Sequence, residues 1–431
     1  MLKLKTIKGA WMFLCPLLFF TPPLEVTAST IKVGKGKTYQ SIQEAIKAAS
    51  ENDIIEVSKG SYPENIIIDK KVTLTGIGKP TIDGGGKGHT VIIKSPGVIL
   101  DSFRIFQSGS DLAQNDSCIF IEGKAEESEI KNNLVEDCAF GIWANGSKGV
   151  KILNNHVKGR SELISQKRGN GIHLWNVKNG VVEGNQIEGA RDGILVSITR
   201  KTLIKDNIIH NLRYGIHYMY ADYCRVEGNV THDNKAGLAI MFSKGLEIES
   251  NYSYDNTEFG LLFRDIFHSK VSRNVLARNE KGLFIYNSLF NEIWENIITG
   301  NDIGSHVWAG SEDNKVYDNS FIQNKTQVKY VGMKDEKWTH EGKGNYWSDY
   351  MGWDIDGNGT GDKPYEANTI MERLIWAYPI VKLLFNSPAV QTLRMAESQF
   401  PLIRQKGIVD DAPLMRPVND KWRKWVGRID H

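Results

Sequence analysis

His217, Met219 and Met241 are the side chains of this 431-residue chain whose types and spacing point most directly to chemistry. The methionines stand 22 residues apart, and the histidine precedes the first of them by two. In an extended chain that repeats every 22 residues, Met219 and Met241 would stack on neighbouring strands. Two residues along a strand return to the same face, so His217 joins them. Soft thioether sulfur with imidazole is the donor set that Cu(I) favours, and it suits zinc or magnesium poorly. The rival reading assigns these residues no ligand. Under a long loop or the chain's own C-terminal segment, methionine fills gaps and histidine is partly buried polar surface. His210 and His232 make a weaker alternative pair, each three residues after an asparagine, Asn207 and Asn229.

A second constellation is built from oxygen. Asp354, Asp356, Asn358 and Asp362 take positions 1, 3, 5 and 9 of a stretch with Gly359 at position 6, which resembles the first part of a calcium loop. Tyr365 stands where the closing bidentate glutamate belongs. Calcium is one expectation here; the other is a glycine-rich turn in which Asp and Asn bond their own backbone.

The first constellation needs a repeating scaffold. Glycine followed by an apolar residue recurs at Gly141, Gly171, Gly193, Gly215, Gly237, Gly260 and Gly282, in steps of 30, 22, 22, 22, 23 and 22. Asn155, Asn185, Asn207, Asn229, Asn251, Asn274 and Asn296 keep the same phase and share the one long step, an insertion near Arg160 to Lys167. Self-similarity of this period marks a solenoid, and short alternating runs between asparagine and glycine turns make each repeat a set of strands. The expected fold is an all-β, right-handed parallel β-helix with an N-terminal helical cap and a partly helical C-terminal extension. Asparagine suits the bends because it tolerates left-handed backbone and can bond the same amide one coil away. These asparagines read as structural, not as ligands.

After each glycine the first and third residues are apolar, as in Ile216 and Tyr218, and point inward. The second and fourth face outward and include His173, Trp175, His217, Met219, Ala239, Met241, Arg264, Phe284, Tyr286, His306 and Trp308. A solvated strand face carries lysine, glutamate and threonine, so something other than water is expected over this strip.

The ends complete the plan. Residues 1–28 read as a secretory signal: Lys3, Lys5 and Lys8, an apolar stretch from Trp11 to Phe20, then cleavage near Ala28. That places function in the periplasm or otherwise outside the cytoplasm. Ser41 and Glu44 form a capping box for a helix across 41–50 that covers the first open edge, and the solenoid fills 29–330. Residues 331–370 form a post-solenoid segment holding the possible calcium loop. Residues 371–431 are apolar, then basic, for capping the solenoid or docking on a partner in or near the membrane. Pro379 and Lys382 interrupt the stretch from Leu374 to Phe385, so it does not span a bilayer, and Lys421 to Trp425 reads as a basic tail or a headgroup contact. Beyond the signal, Cys118, Cys138 and Cys224 are odd in number with no close pair, so no disulfide is expected, and Cys224 reads as core. Lysine plus arginine (53) barely exceed aspartate plus glutamate (51), which argues against nucleic acid.

Four stretches together carry a family resemblance. They are Tyr39-x-Ser41-Ile42-Gln43-x-Ala45-Ile46, Tyr214 to Tyr220 with the stacked Met241, Asn345-Tyr346-Trp347-Ser348-Asp349-Tyr350, and Asp362-Lys363-Pro364-Tyr365. With them the chain resembles the NosD family, extracytoplasmic β-helix proteins needed to mature nitrous oxide reductase, over nearly the whole mature length. The helix and repeat are common to many β-helices, whereas the histidine-methionine strand and the post-solenoid motif are far more specific. The resemblance implies a non-enzymatic role, transient copper binding, and membrane association through a partner. The implied partners are an ABC transporter's permease and ATPase, a copper chaperone and apo nitrous oxide reductase.

Two rivals remain at this point. One is a polysaccharide lyase, hydrolase or epimerase, which needs paired carboxylates or a calcium cluster on the outward face. The strip's second and fourth positions carry none, although Asp192 and Asp265 lie beside them. The other is a carbohydrate-binding protein that stacks sugars on Trp175, Phe284, Tyr286 and Trp308.

Overall fold

A computed structural model describes residues 28–308, 310–367 and 407–418, with isolated residues between 378 and 395. Residues 1–27 of the stretch read as a signal and the basic stretch at 421–425 lie outside the described residues, as does most of the apolar stretch at 374–385. The chain winds into a right-handed parallel β-solenoid of about 14 turns. Three strands per coil feed three long parallel sheets of 13, 12 and 13 strands. One coil runs Leu203–Lys205, Ile208–His210 and Tyr214–Met219, and the next runs Arg225–Glu227, Val230–His232 and Ala236–Lys244.

Packing follows from the pattern. Ile152, Val182, Ile204, Val226 and Ile248 take equivalent inward positions on successive coils and are buried to 1% exposure or less. Each such burial stabilises by about 1.5–3 kcal/mol, and the branched side chains suit the pleat. The glycine marker is steric. A Cβ on Gly215 would stand 2.6 Å from the Gly237 carbonyl oxygen, so the coils close up only where no side chain intervenes.

The asparagine ladder forms as expected, but the left-handed bend does not fall on it. From Asn133 through Asn155, Asn185, Asn207, Asn229, Asn251, Asn274, Asn296 and Asn319 to Asn345, each backbone N–H and each Nδ2 donates to the next coil's Oδ1, at 2.9 to 3.1 Å. The left-handed backbone falls one residue earlier, at Asn154, Asp206, Ser250, Arg273 and Glu295. The ladder asparagines are chosen for the double hydrogen bond, and their predecessors bear the bend.

Both ends of the solenoid are covered. The helix Ile42–Ala48 closes the first, with the Ser41 hydroxyl accepting from the Glu44 N–H at 3.3 Å. Glu64, from the next coil, accepts from the Ile42 and Gln43 N–H groups and from the Ser41 hydroxyl, so the capping carboxylate is not that of Glu44. At the other end the rings of Phe321, Trp347 and Tyr365 stack at 4.4 and 4.2 Å, and the strand Ile408–Asp410 returns to pair with Glu336–Lys337 and Tyr365–Glu366. The buried Asp410 carboxylate accepts from the Asn345 N–H, the Asn345 amide, the Trp347 indole N–H, the Thr339 hydroxyl and the Ala412 N–H. Burial, the largest influence, leaves its pKa raised although these donors pull the other way.

Cysteine corrects the sequence expectation. Cys118 and Cys138 are joined by a disulfide across 20 residues, with Cα atoms 5.6 Å apart, and only Cys224 is a free, buried thiol among the described residues. The pair escaped notice because Cys118 lies on one sheet and Cys138 at the end of a strand on another, just short of a full coil apart. A bond closing a loop of this length contributes about 3 kcal/mol in the chain-entropy picture. Reduction, or a Cys118→Ser, Cys138→Ser variant, is expected to lower the denaturant midpoint correspondingly. An unchanged midpoint would mean that the bond does not form in the folded protein.

Candidate metal centre

The strand Tyr214–Met219 lies between Asp192–Ser197 and Ala236–Lys244, in a register that sets Ser197 against Met219, Met219 against Met241, and Leu195, His217 and Ala239 in one row. Ile216, Tyr218 and Ile240 are fully buried in the core. His217, Met219 and Met241 therefore leave the same sheet on its outer side, with Met219 beside Met241 and His217 two residues along the strand. Met219 and Met241 are half-buried, whereas His217 is only 6% exposed. Ala239, the neighbour of His217 in that row, is fully buried.

The outer strip is less open than alternation implies. His173, His217 and His306 are each 6% exposed, because neighbouring rings close over them. Trp143 lies 3.8 Å from His173 and the Tyr214 edge lies 5.1 Å from His217. Met241 packs with Tyr214, Phe259 and Phe284 around Ala236, Ala239 and Leu262. Burial pushes the His173 imidazole down to about 3 and His306 down to about 4, so both are neutral near pH 7.

His217 alone of these has a charged anchor. Its Nδ1 lies 2.9 Å from Asp192 Oδ2, and Arg213 grips the same carboxylate through Nε at 2.8 Å and Nη2 at 2.6 Å. Burial pushes the Asp192 carboxyl up, but the bonds from His217 and Arg213 hold its pKa below the ordinary value. An ionised carboxylate only accepts, so Nδ1 carries a hydrogen, and in the neutral ring the lone pair is on Nε2. That Nε2 is buried and has no hydrogen-bond partner. A carboxylate behind an imidazole is the usual outer support of a metal-bound histidine. Sequence reasoning placed Asp192 beside the strip and missed this role. Asp192 keeps to Tyr214 the same 22-residue offset that Ile194 keeps to Ile216, and although it stands two residues before that inward isoleucine its carboxylate reaches the outward His217.

Among the described residues no three His, Cys, Asp or Glu side chains already stand as a metal-binding group. Thioethers fall outside that set. His210 and His232 lie on another sheet with their rings stacked at 4.9 Å. Cys224 sits in the core, where its sulfur accepts from the Thr202 N–H at 3.5 Å and donates to the Asp222 carbonyl, and burial pushes the thiol up.

In the loop 354–362 the carboxylates are occupied by their own turn. Asp354 accepts from the Asn358 and Gly359 N–H groups at 3.1 and 2.9 Å, Asp356 from Asn358, and Asp362 from the Ile355 N–H at 2.7 Å. If the loop nevertheless takes calcium, the ion is expected to raise the melting temperature of the wild type and not of Asp356→Ala. An equal response in a thermal melt of both proteins would leave the loop as a turn.

The architecture and the strip define a right-handed parallel β-helix with an imidazole-thioether surface. Among solved structures it resembles the mannuronan C-5 epimerase A-module of Azotobacter vinelandii, with a TM-score of 0.56, 14% identity, and coverage of 68% of this chain and 93% of that one. It also resembles the DFA-IIIase of Arthrobacter chlorophenolicus A6, with a TM-score of 0.52, 11% identity, and coverage of 71% and 99%. These likenesses concern the fold alone.

Sequence relatives are more specific. Residues 153–352 match the family model described as periplasmic copper-binding protein (NosD). The chain is 42% identical over 374 residues to the probable ABC transporter binding protein NosD of Pseudomonas aeruginosa, spanning 84% of this chain and 87% of that protein. It is 40% identical over 377 residues to its counterpart in Stutzerimonas stutzeri, spanning 84% and 86%. The chain belongs to the NosD family. No helix among the described residues is long and apolar enough to cross a membrane.

Proposed function

We propose that this protein is a periplasmic, non-enzymatic accessory of nitrous oxide reductase maturation that receives copper as Cu(I) and passes it on. His217, Met219 and Met241 hold the ion, and the observation that carries this reading is the buried, partnerless Nε2 of an imidazole fixed by Asp192 beside two in-register thioethers. Two sulfur ligands on a half-open surface hold copper loosely enough to release it. The relatives' name, ABC transporter binding protein, supports a transporter permease and its ATPase as partners. A copper chaperone on the supplying side and apo nitrous oxide reductase on the receiving side complete the scheme.

Among carbohydrate enzymes the candidate acid on this strip would be Asp192, but its carboxylate is already committed to Arg213 and His217. Incubation of the purified protein with Cu(I), and separately with acidic polysaccharides, tests the reading. Stoichiometric copper binding without polysaccharide binding or cleavage is expected; cleavage or sugar binding with no copper uptake would overturn it.

A further inference from the structure

We propose that the bend which follows Met219 and Met241 is the docking ridge for apo nitrous oxide reductase, which seats on it through an apolar centre and a rim of carboxylates. Ser197, Met219 and Met241 stand in one register row, and the next residue on each coil, Ile198, Tyr220 and Phe242, turns the corner with φ of 55°, 56° and 50°. Left-handed backbone suits Gly, Asn and Asp and strains bulky side chains, β-branched ones most. The corresponding corners of the flanking coils follow that rule, with Gly146, Asn176, Asp265 and Asn287 at φ of 74°, 52°, 55° and 46°. The three coils at the methionine row break it.

This strain gains no core packing. Ile198 and Tyr220 are exposed and Phe242 is half-buried, and the Tyr220 and Phe242 rings stack on each other at 5.3 Å on the outer surface. Tyr223, three residues after Tyr220, adds a further exposed ring, again at positive φ (55°). Strain without burial points to function, and exposed rings of this kind are the usual anchors of protein interfaces.

Charge indicates what covers the ridge. Lys148, Lys178 and Arg200 pair on successive rungs along its edge, and like charges set directly opposite destabilise a sheet. Among the described residues Lys148, Lys178 and Lys201 have no ion-pair partner, while Arg200 has Asp222 at 3.6 Å. A partner's carboxylates relieve such a stack and are steered in by it. An anionic bilayer would match the charge but offers no ligand to take an ion from the methionines, so a protein is favoured. A copper acceptor still awaiting its cations is at its most negative, whereas a loaded chaperone has gained the charge of its cargo. The basic ridge therefore favours the receiving partner and lets it go once filled. The transfer rests on the copper reading of His217, Met219 and Met241; the docking does not.

The full-length mature protein should be titrated by calorimetry with purified apo nitrous oxide reductase at low and at high salt. Binding is expected, and salt should weaken it. The combined variant Ile198→Asn, Tyr220→Asn, Phe242→Asn gives the ridge a residue that its flanking coils carry. It is expected to raise the melting temperature by several degrees, to leave Cu(I) affinity unchanged and to weaken docking at least tenfold. Lys148→Glu with Lys178→Glu should also weaken docking at least tenfold and flatten its salt dependence. The Met219→Leu, Met241→Leu protein should dock as the wild type does, so a failed copper site and a failed ridge are read apart. No binding of the apo-reductase by the wild type, undiminished docking of the triple variant, or a lower melting temperature or Cu(I) affinity in it would overturn the ridge. So would binding of the copper chaperone, or of phosphatidylglycerol vesicles, at these residues in place of the reductase.

Discussion

Replacing Met219 and Met241 together with leucine is expected to weaken Cu(I) binding by about a hundredfold or more, roughly 2.7 kcal/mol. The exchange conserves volume, and both side chains are half-exposed, so the fold should lose less than about 1.5 kcal/mol. What is lost is the sulfur: the variant keeps the His217 Nε2 lone pair but gives the ion nothing soft to share. Each single variant should fall between the wild type and the pair. Anaerobic competition against a chromophoric Cu(I) chelator measures the effect, and the copper content of nitrous oxide reductase in cells carrying the variant reports its consequence.

A companion variant, Asp192→Asn, leaves both thioethers in place and removes the acceptor that fixes the His217 tautomer. A loss of about 10–100-fold is expected, in line with other changes behind a metal-bound histidine. Wild-type affinity in the double methionine variant, with a fully loaded reductase, would remove the site and return the strip to a packed or partner-covered surface.

The coil was legible because its two markers answer to different constraints that keep one phase. Glycine is required where Gly215 meets the Gly237 carbonyl, and asparagine where two donors must reach one oxygen. The face shared by His217, Met219 and Met241 follows from counting along strands of period two. What could not be read were features set by departures from that period or by distant chain. Asp192 joins His217 although it stands two residues before the inward Ile194, where counting by two would turn its side chain to the core. Cys118 and Cys138 meet across two sheets within less than one coil. Backbone curvature fell one residue before the ladder asparagines, on Asn132, Asn154, Gly184, Asp206, Gly228 and Asp318 but also on Ser250, Arg273 and Glu295, whose types do not announce it.

Asp410 is the most distant case, 65 residues beyond the asparagine that it serves. A ladder in which every amide donates to the next coil must end on an acceptor, because Asn345 has no further asparagine above it. A carboxylate suits that place, having acceptor oxygens only when ionised. Asp410→Ala would strip the buried Asn345 N–H and the Trp347 indole N–H of their acceptor, while the Asn345 amide keeps the Val316 and Trp338 carbonyls. Each orphaned buried donor costs about 1–3 kcal/mol, and with the Thr339 contact also gone the total is about 3–5 kcal/mol.

In a solenoid each coil contacts only its neighbours, so this loss should appear first as opening of the terminal cap. Hydrogen exchange is expected to quicken at Asn345, Trp347 and Ile408 while the central coils stay protected. Asp410→Asn, which keeps one acceptor oxygen, should lose less. Because burial raises the folded pKa of Asp410 above its unfolded value, the folded cap holds the proton more tightly. Its contribution is then fullest below the unfolded carboxylate range and falls as pH rises through the folded value. The stability gap between wild type and Asp410→Ala should therefore widen on moving from neutral to mildly acidic buffer. Unaltered exchange at the cap in Asp410→Ala would show that the ladder does not depend on this carboxylate for its end, and a gap that closes in acid would show that the donors outweigh burial in setting its pKa.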